Sequence, residues 1–283
     1  MKQKKILVTG SDGFLGKAVC SALGNKNYSV VSYDLVAGQN ILYTEQLKEA
    51  LYEIDGVIHL AAPCTPSMFY QDLTSAWNNA VVGMSNLLAL YQGRIVFPST
   101  CTLYGDFQFP VKENFKLPLP PNYYAASKVE CERLCFLNNI KGGDCKVARI
   151  FTGYGAEEQK CEYASPVFKF IQSISKGEQL FIYGDGKQVR DFIFVDDIAN
   201  ALVSILETKS TEVIFNIGTG NGTSFLEILE LLKQEMGSVF QPVFQSSPKG
   251  YVSSIVADIS LARRELGFNP TVSIQEGIRK IIR

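Results

Sequence analysis

Histidine and tryptophan are almost missing from this chain, which has one residue of each among 283. The chain also lacks an excess of charge, because 27 Lys and Arg face 28 Asp and Glu and leave a net charge of −1. Without a basic field, a nucleic-acid partner is not expected. No apolar run approaches the ~20 residues of a membrane span, and no signal peptide precedes the first predicted strand. We therefore expect a globular protein with neither a nucleic-acid nor a membrane partner.

The seven cysteines are scattered, at positions 20, 64, 101, 131, 135, 145 and 161. An odd number without a secretory signal predicts reduced thiols and a cytoplasmic protein. Cys131 and Cys135 share a predicted helix face, but the chain has one histidine and no second close cysteine pair. That set does not make a zinc site, so we expect no metal.

A glycine-rich turn lies between a predicted strand and a predicted helix near the amino terminus. The apolar run Ile6-Leu7-Val8 is typical of a buried parallel strand, and Gly10, Gly13 and Gly16 follow it. Such glycines let the backbone approach a pyrophosphate at the helix amino terminus, although the first gap is one residue longer than in the common fingerprint. Asp34 ends the next predicted strand, where a carboxylate accepts ribose hydroxyls and repels a 2′-phosphate. The pattern predicts a dinucleotide site that prefers NAD to NADP.

Two further predicted strands end in residues that suit a ligand. The third covers 56–62, and its small last residues leave room for a dinucleotide. His59 lies within this apolar strand, where a packed imidazole is more common than a catalytic one. The fourth begins at Arg94 and ends in the hydroxyls of Ser99 and Thr100. Open α/β folds bind ligands at this carboxyl edge of the sheet.

Tyr124 and Lys128 stand four residues apart in a predicted helix. That spacing places both side chains on one helix face, one turn apart. A nearby ammonium favours the phenolate and lowers the pKa of a tyrosine, which can then act as a general acid or base on a hydroxyl. The pair predicts acid–base chemistry once the upstream strands are taken with it.

The alternation of apolar runs and helical patterns up to about residue 150 predicts an α/β fold with a doubly wound, Rossmann-type parallel sheet. We expect an NAD-binding domain over 1–155, with segments near 191–217 folding back onto it, and a smaller carboxyl-terminal α/β lobe over 156–283 for the substrate. Helices are predicted near 73–91 and 124–139, packed against each other, and near 165–175, 226–236 and 274–282. Strands are predicted near 192–195 and 213–217.

Taken in order, these motifs resemble the extended short-chain dehydrogenases/reductases, an NAD-dependent family of nucleotide-sugar epimerases and dehydratases. The resemblance covers nearly the whole chain. Its pieces are Thr9-Gly10-x-x-Gly13-Phe14-Leu15-Gly16, Asp34, His59-Leu60-Ala61-Ala62, Ser99-Thr100-x-x-Leu103-Tyr104-Gly105, Tyr124-x-x-x-Lys128, Arg149-Ile150-Phe151-Thr152-Gly153-Tyr154-Gly155, Tyr183 to Phe192, Asn216 to Gly220 and Ala262 to Phe268.

The resemblance implies roles for individual residues. It makes Thr100, Tyr124 and Lys128 catalytic, and it places Thr100, Thr102, Thr152 and Arg190 at a nucleotide-diphosphate sugar. An arginine paired with Asp185, Asp191 or Asp196 is the structural alternative for Arg190. The resemblance further implies a homodimer through the helices near 73–91 and 124–139. The residues assigned to NAD are Gly10, Asp12, Gly13, Phe14, Leu15, Gly16, Asp34, Asn40, Ile41, Leu60, Ala61, Ala62, Tyr124 and Lys128.

The chain departs from the family at the residues that distinguish its reactions. Dehydratases of the family have an acid pair directly after the strand-end threonine, and decarboxylases have a glutamate there, whereas this chain has Cys101 and Thr102. The Cys/His pair of the 3,5-epimerase/reductases is missing too. The family asparagine near the nicotinamide falls one residue early, at Asn79, with Ala80 in the aligned place. An arginine expected near the carboxyl end is replaced by the stretch 247–251.

What remains is one threonine, one tyrosine, one lysine and NAD, a set that oxidises an alcohol and reduces a ketone. We therefore predict a nucleotide-sugar epimerase that acts at C4 through a transient 4-keto sugar. A nucleotide-sugar 4-dehydrogenase or ketoreductase is the alternative. A dinucleotide-binding protein without turnover is a third interpretation, against which the retained Tyr124 and Lys128 argue. The sequence identifies neither the base nor the sugar.

Overall fold

The structure of the protein is a computed structural model that describes residues 3–106, 110–158, 164–247 and 252–283. Its strands are β1 (Lys5–Thr9), β2 (Ser29–Tyr33), β3 (Gly56–His59), β4 (Arg94–Thr100), β5 (Asp144–Ile150), β6 (Thr152–Tyr154), β7 (Phe181–Tyr183), β8 (Val189–Arg190), β9 (Phe192–Phe194), β10 (Ile214–Ile217), β11 (Thr223–Ser224), β12 (Val243–Gln245) and β13 (Ser254–Ile255). Its α-helices are α1 (Phe14–Asn25), α2 (Thr44–Ala50), α3 (Pro66–Gln71), α4 (Leu73–Trp77), α5 (Gly83–Leu90), α6 (Tyr123–Ile140), α7 (Pro166–Lys176), α8 (Val195–Glu207), α9 (Phe225–Met236), α10 (Ser260–Leu266) and α11 (Ile274–Ile282).

Six strands form one sheet in the order β10-β5-β4-β3-β1-β2, and every neighbouring pair in it is parallel. The chain winds outward in both directions from β1, so the strand order reverses between β1 and β3. The predicted doubly wound parallel sheet is confirmed. A crevice forms at such a reversal outside the carboxyl ends of the strands, and ligands of open α/β folds bind there.

Both faces of the sheet are covered, which explains why its strands are apolar runs. Leu7 faces the core beneath α5 and α6, while Val8 faces the opposite core beneath α1 and α8. Each side chain of β1 from Ile6 onward is buried. Successive side chains point to opposite faces of a strand, so a strand buried on both sides reads as a continuous apolar run.

The two predicted helices that flank the site are present, one with an irregularity. The helix predicted near 73–91 consists of α4 and α5 joined by a π-helical turn over Asn78–Val82. The helix predicted near 124–139 is α6, and it begins after Asn122, whose side-chain oxygen accepts a hydrogen bond from Ala125 N at 2.9 Å. An asparagine in this position caps a helix by satisfying one of its free N–H groups. The two helices contact each other, as predicted.

The later part of the chain contributes to both halves of the molecule. β10 extends the six-stranded sheet beside β5, at the predicted position. The segment predicted near 192–195 is β9, which pairs with β6 outside that sheet because β6 has already left it after Ile150. A separate core lies between α7, α9 and α11, with Phe192 and Phe194 inside it. No helix among the residues described is both long and apolar enough to cross a membrane.

Candidate active site

A cavity of about 700 Å³ lies over the carboxyl ends of β1, β3 and β4. The glycine turn after β1 lines one part of it, and Asp34 with the segment that follows lines another. Tyr124 and Lys128 of α6 line the cavity as well, together with Thr100 at the end of β4. The cavity therefore joins the predicted dinucleotide site to the predicted acid–base residues.

The glycine turn brings backbone close to backbone in a way that no side chain would permit. Gly10 has a φ of +71°, and a Cβ built on it would lie 2.8 Å from the backbone nitrogen of Ala61. A Cβ on Gly16 would overlap the carbonyl oxygen of Gly10 and lie 2.7 Å from the carbonyl oxygen of Ser11. Positive φ is costly for residues other than glycine. The turn thus leaves a bare backbone at the start of α1, which suits the close approach of a pyrophosphate.

The carboxylate of Asp34 is held at the end of β2. One of its oxygens accepts a hydrogen bond from Asp12 N at 3.0 Å, and the other accepts one from Val36 N at 2.9 Å. Tyr33 donates its hydroxyl to the carbonyl of Asn40 at 2.8 Å, which fixes the next stretch of chain along the cavity. Asn40 and Ile41 both line the cavity, while Asp12 takes part through its backbone and is not among the lining residues.

Tyr124 is the second residue of α6, and its hydroxyl interacts with the side chain of Thr100. Burial raises the pKa of Tyr124 well above its usual value, and the bond from Thr100 opposes that rise. The expectation that Lys128 lowers this pKa is not met in the structure. The ammonium of Lys128 lies 6.0 Å from the centre of the tyrosine ring and donates instead to the carbonyl oxygen of Pro98 at 2.8 Å.

Lys128 is a buried cation at the floor of the cavity, with 8% of its surface exposed. Burial lowers its pKa, since removing a charge from water disfavours the charged form. Its ammonium also lies 4.7 Å from the centre of the Phe97 ring, a cation–π distance. Tyr124 and Lys128 are therefore both on α6 with the predicted spacing. The protonation of the pair depends on the ligand that occupies the cavity.

A buried ion pair anchors α6 to β5 one turn beyond Lys128. Arg149 contacts both carboxylate oxygens of Glu132, at 3.0 and 2.7 Å, and each side chain is 4% exposed. The same guanidinium donates to the hydroxyl of Tyr104 at 2.9 Å, and Tyr104 donates to Asn216 at 2.7 Å. Bidentate pairs of this kind fix geometry as well as charge. The network holds the helix that carries Tyr124 and Lys128 against the sheet.

The residues directly after Thr100 are neutral in this structure. Thr102 Oγ1 lies 3.0 Å from Thr100 Oγ1, and its backbone N–H donates to the same Thr100 oxygen at 3.2 Å. Cys101 is buried, and burial raises the pKa of its thiol to about 12, so the thiol stays protonated. Neither residue supplies the carboxylate that an elimination at this strand end needs. Thr102 is not among the residues that line the cavity.

The predicted substrate residues beyond Thr100 are not among those that line the cavity, although Phe151 and Gly153, on either side of Thr152, do line it. Thr152 is in β6, where its N–H donates to Asp191 O at 2.9 Å. Arg190 donates to the carbonyls of Val189 and Val252, at 2.9 and 2.5 Å. Of the stretch 247–251, residues 248–251 lie outside the described residues.

Each of the three acids considered as structural partners of Arg190 has another partner in the structure. Asp191 accepts hydrogen bonds from Thr219, Gly220 and Ala257. The carboxylates of Asp185 and Asp196 lie 3.8 Å from the ammonium groups of Lys187 and Lys280.

Sequence reasoning missed several residues that the structure brings to the cavity. Asn79 lines it, although the aligned position is Ala80, which is buried. The π-helical turn at Asn78–Val82 explains why Asn79, and not Ala80, faces the cavity. In the sequence, the only sign of this turn is that the family asparagine falls one residue early. Glu158 also lines the cavity, with its carboxylate accepting hydrogen bonds from Ser165 N and Oγ at 2.5 and 2.6 Å. No spacing in the sequence indicates this pairing.

His59 has the packed role that its apolar strand predicted. Its Nδ1 lies 2.8 Å from Thr9 Oγ1, and its ring stacks on Phe97 at 6.3 Å between centres. It nevertheless reaches the cavity, as does Ser99.

The sheet, the glycine turn, the acid after β2 and the cavity over the strand reversal together define a dinucleotide-binding α/β protein. Residues 6–218 match the NAD dependent epimerase/dehydratase family, and the chain belongs to that family. The predicted family, the enzyme class and NAD as cofactor are thereby confirmed. The backbone cradle at Gly10 and Gly16 fits the pyrophosphate of such a cofactor.

The chain is similar over nearly its full length to several known proteins. A putative UDP-glucose 4-epimerase of Methanocaldococcus jannaschii is 31% identical, over 98% of this chain and 97% of the relative. A UDP-glucose 4-epimerase of Thermotoga maritima, solved with UDP-glucose, superposes with a TM-score of 0.91 at 28% identity, over 98% and 97% of the two chains. A UDP-glucuronic acid 4-epimerase of Bacillus cereus, solved with UDP-glucuronic acid and NAD, gives 0.87 at 30% identity, with the same coverage.

Relatives with other reactions are almost as similar. They include UDP-glucuronic acid decarboxylase 1 of Xenopus tropicalis, 29% identical over 99% of this chain and 72% of the relative. The dTDP-4-dehydro-6-deoxyglucose reductase of Escherichia coli is 28% identical, over 100% of this chain and 98% of the relative. Similarity alone thus gives the family and leaves the reaction to the residues of the site.

Proposed function

We propose that the protein is a nucleotide-sugar 4-epimerase. The observation that carries the proposal is the cavity in which Thr100, Tyr124 and Lys128 converge without a carboxylate at Cys101 or Thr102. Elimination and decarboxylation in this family use an acid at those positions. Oxidation of an alcohol and reduction of the resulting ketone need a proton acceptor that can return its proton and a hydride acceptor that can return its hydride, which NAD would supply.

Each residue has a defined part in the proposed reaction. Thr100 hydrogen-bonds the C4 hydroxyl of the sugar, and Tyr124 takes the proton from that hydroxyl and later gives it back. In the proposed reaction Lys128 favours the phenolate electrostatically, although in the structure burial sets the pKa of Tyr124 and Lys128 does not lower it. NAD, when bound, supplies the hydride acceptor and donor, and the bare glycine turn and Asp34 hold its pyrophosphate and adenosine ribose. The keto sugar rotates in the site between the two steps, so that the hydride returns to its opposite face and C4 is inverted.

The nucleotide end of the substrate is assigned to Arg190. A guanidinium suits a diphosphate because its planar donors match the phosphate oxygens. Arg190 is the last residue of β8, which pairs with β13, and its guanidinium donates to the carbonyls of Val189 and Val252. UDP-glucose and UDP-glucuronic acid, which are bound in similar proteins, are the first substrates to test.

Deuterium at C4 of the nucleotide sugar tests the reaction. An epimerase returns the same hydride, so the C4-inverted product should retain the label and no reduced cofactor should accumulate. Stoichiometric deuterated NADH with a released keto sugar would instead establish a dehydrogenase. Absence of turnover on a panel of nucleotide sugars, with NAD still bound tightly, would favour a non-catalytic binding protein.

The proposal includes a homodimer through α4, α5 and α6. Exposed apolar side chains lie on these helices, among them Leu73, Leu137 and Ile140, the last 81% exposed, and Val82 in the turn between α4 and α5 is exposed as well. Ile140→Glu should shift the sedimentation coefficient toward that of the monomer. Val239→Glu, a change at a fully exposed valine outside these helices, is the matched control. A monomeric wild type would contradict this part of the proposal. The cytoplasmic location indicated by the cysteines stays a prediction.

A further inference from the structure

Two buried polar atoms at the floor of the cavity have no hydrogen-bond partner among the described residues. They are His59 Nε2 and Ser99 Oγ; Ser11 Oγ, the third such atom, belongs to a residue outside the cavity lining. Buried side-chain polar atoms in proteins are nearly always paired, with protein or with ordered water. Each of these two atoms therefore indicates a partner that the described residues do not provide.

Both residues lie on the face of the sheet against which Lys128 packs. The ring of Phe97 has the ammonium 4.7 Å from its centre, and the imidazole of His59 stacks on the same ring. Ser99 is two residues beyond Phe97 in β4, so its side chain points to the same face of the sheet. An imidazole, a hydroxyl and an ammonium thus converge at the ends of β3 and β4.

The donors and acceptors of the three groups are complementary. An ammonium has three N–H donors, and one of those of Lys128 is given to Pro98 O. The other nitrogen of His59 is bonded to Thr9, whose hydroxyl also accepts from Ala61 N at 3.2 Å. Burial, with the charge of Lys128, holds the pKa of His59 at about 3, so the imidazole is neutral and its Nε2 can bond to water. A serine hydroxyl can donate or accept.

We infer that one fixed water molecule bridges His59 Nε2, Ser99 Oγ and Lys128 Nζ, and that His59 and Ser99 are positioning residues for Lys128. A buried water needs two to four polar partners, and three are present here. The bridge gives the ammonium a second hydrogen bond, so its remaining N–H is directed to the cavity. The inference rests on the proposed roles of Tyr124 and Lys128.

The hydrogen bonds beyond the bridge end at a backbone N–H. They lead from His59 to Thr9 at the end of β1 and then to the backbone N–H of Ala61, which does not exchange protons along the chain. Such a closed chain cannot deliver a proton to bulk water. It suits a reaction in which the proton taken by Tyr124 is returned to the substrate, with no net release.

Among the residues that the structure describes, few charged groups face Lys128. The titratable groups facing it are Tyr124, Cys131, Glu132 and Cys135 on its own helix, with Cys64 and His59 from the β3 side. Glu132 is the charged member, and its carboxylate is already paired with Arg149. Tyr124 is faced in addition by Cys64, Cys101 and Thr100. A water on the ammonium is therefore a main determinant of how strongly Lys128 favours the phenolate.

A high-resolution crystal structure of the wild type with NAD is the direct test. We expect electron density for one water within about 3.2 Å of all three atoms. A site without density, or a cofactor atom in its place, would overturn the inference. This readout is independent of turnover, so it separates the bridge from the proposed reaction. An inactive protein that shows the water would contradict only the reaction.

The pH profile of kcat/KM tests the positioning role. In Ser99→Ala the acid limb, set by the base form of Tyr124, should move up by about one pH unit, because a hydrogen bond to a charged group is worth about tenfold or more. His59→Phe should act the same way, and His59→Gln, which keeps a polar group, should shift the limb less. NAD affinity by calorimetry should change little in Ser99→Ala.

Cys145→Ala is the matched control for a buried change. Cys145 is fully buried on the α5–α6 side of the sheet, near the amino-terminal end of β5 and so at the end away from the cavity. Its replacement by alanine should leave the pH profile of kcat/KM unchanged. Thermal melts verify folding of each variant. An acid limb at the wild-type position in folded Ser99→Ala would overturn the positioning role, whatever the fate of His59→Phe.

Discussion

Replacing Glu132 with glutamine should destabilise the protein strongly. Glu132 and Arg149 are each 4% exposed and share two short contacts, so the change leaves a buried guanidinium without its counter-charge. Removing one partner of a buried pair costs about 3–5 kcal/mol, out of a total stability of about 5–15 kcal/mol. Because glutamine keeps the shape and one acceptor, we expect the lower end, about 3 kcal/mol, or roughly a hundredfold in the folding constant.

Urea unfolding followed by the fluorescence of Trp77, the single tryptophan, measures the loss. Glu130→Gln is the control on the same helix, since Glu130 pairs with Arg133 at 2.6 Å but the side chains are 41% and 67% exposed. An exposed pair contributes about 1 kcal/mol or less. If the two variants lost equal free energies of unfolding, with the slope of that free energy against urea concentration unchanged, burial would not explain the contribution of the Glu132–Arg149 pair to stability.

Four further predictions follow from the site. Asp34→Ala should weaken NAD binding and reduce discrimination against NADP in calorimetry; a wild type that prefers NADP would contradict the role of this acid. Tyr124→Phe should lower turnover by at least ~100-fold while NAD still binds, and near-full activity would remove Tyr124 from the mechanism. Arg190→Ala should raise the KM of the nucleotide sugar far more than it weakens NAD, unlike Lys187→Ala at a neighbouring exposed position; an unchanged KM would assign Arg190 a structural role. Burial holds the pKa of Glu158 at about 7, above its ordinary 4.5. The folded state therefore keeps a proton that the unfolded state releases, and stability should fall as the pH rises from about 4.5 to 7. Glu158→Gln should flatten that dependence in urea titrations, and an unaltered slope would contradict it.

The sequence predicted the sheet, the flanking helices and most of the cavity because those features follow from local patterns. Local features mark where strands lie and end: the apolar run Ile6–Val8, the glycines that follow it, and Asp34 after the second strand. Parallel strands bring their carboxyl ends to one edge of the sheet, so these features lie together. The protonation state of Tyr124 could not be predicted this way, since spacing shows that Lys128 is near but not that its ammonium points to Pro98. The contacts of Glu158 and Arg190 depend on tertiary neighbours far along the chain, which no local pattern reports.

The wide turn at Asn78–Val82 affects how positions along this helix correspond to those of relatives. A π-turn contains one residue more than an α-turn, so it can take up an inserted residue without displacing the helix on either side. Gly83, beyond the turn, still lies against Ile41, and Ala76, before it, still belongs to the cluster that Tyr124 packs on. Positions before the turn are therefore matched to those of relatives by skipping one residue of this chain. An alignment that keeps the numbering continuous back from Gly83 instead puts the buried Ala80 in the place of the cavity residue, which is Asn79 here.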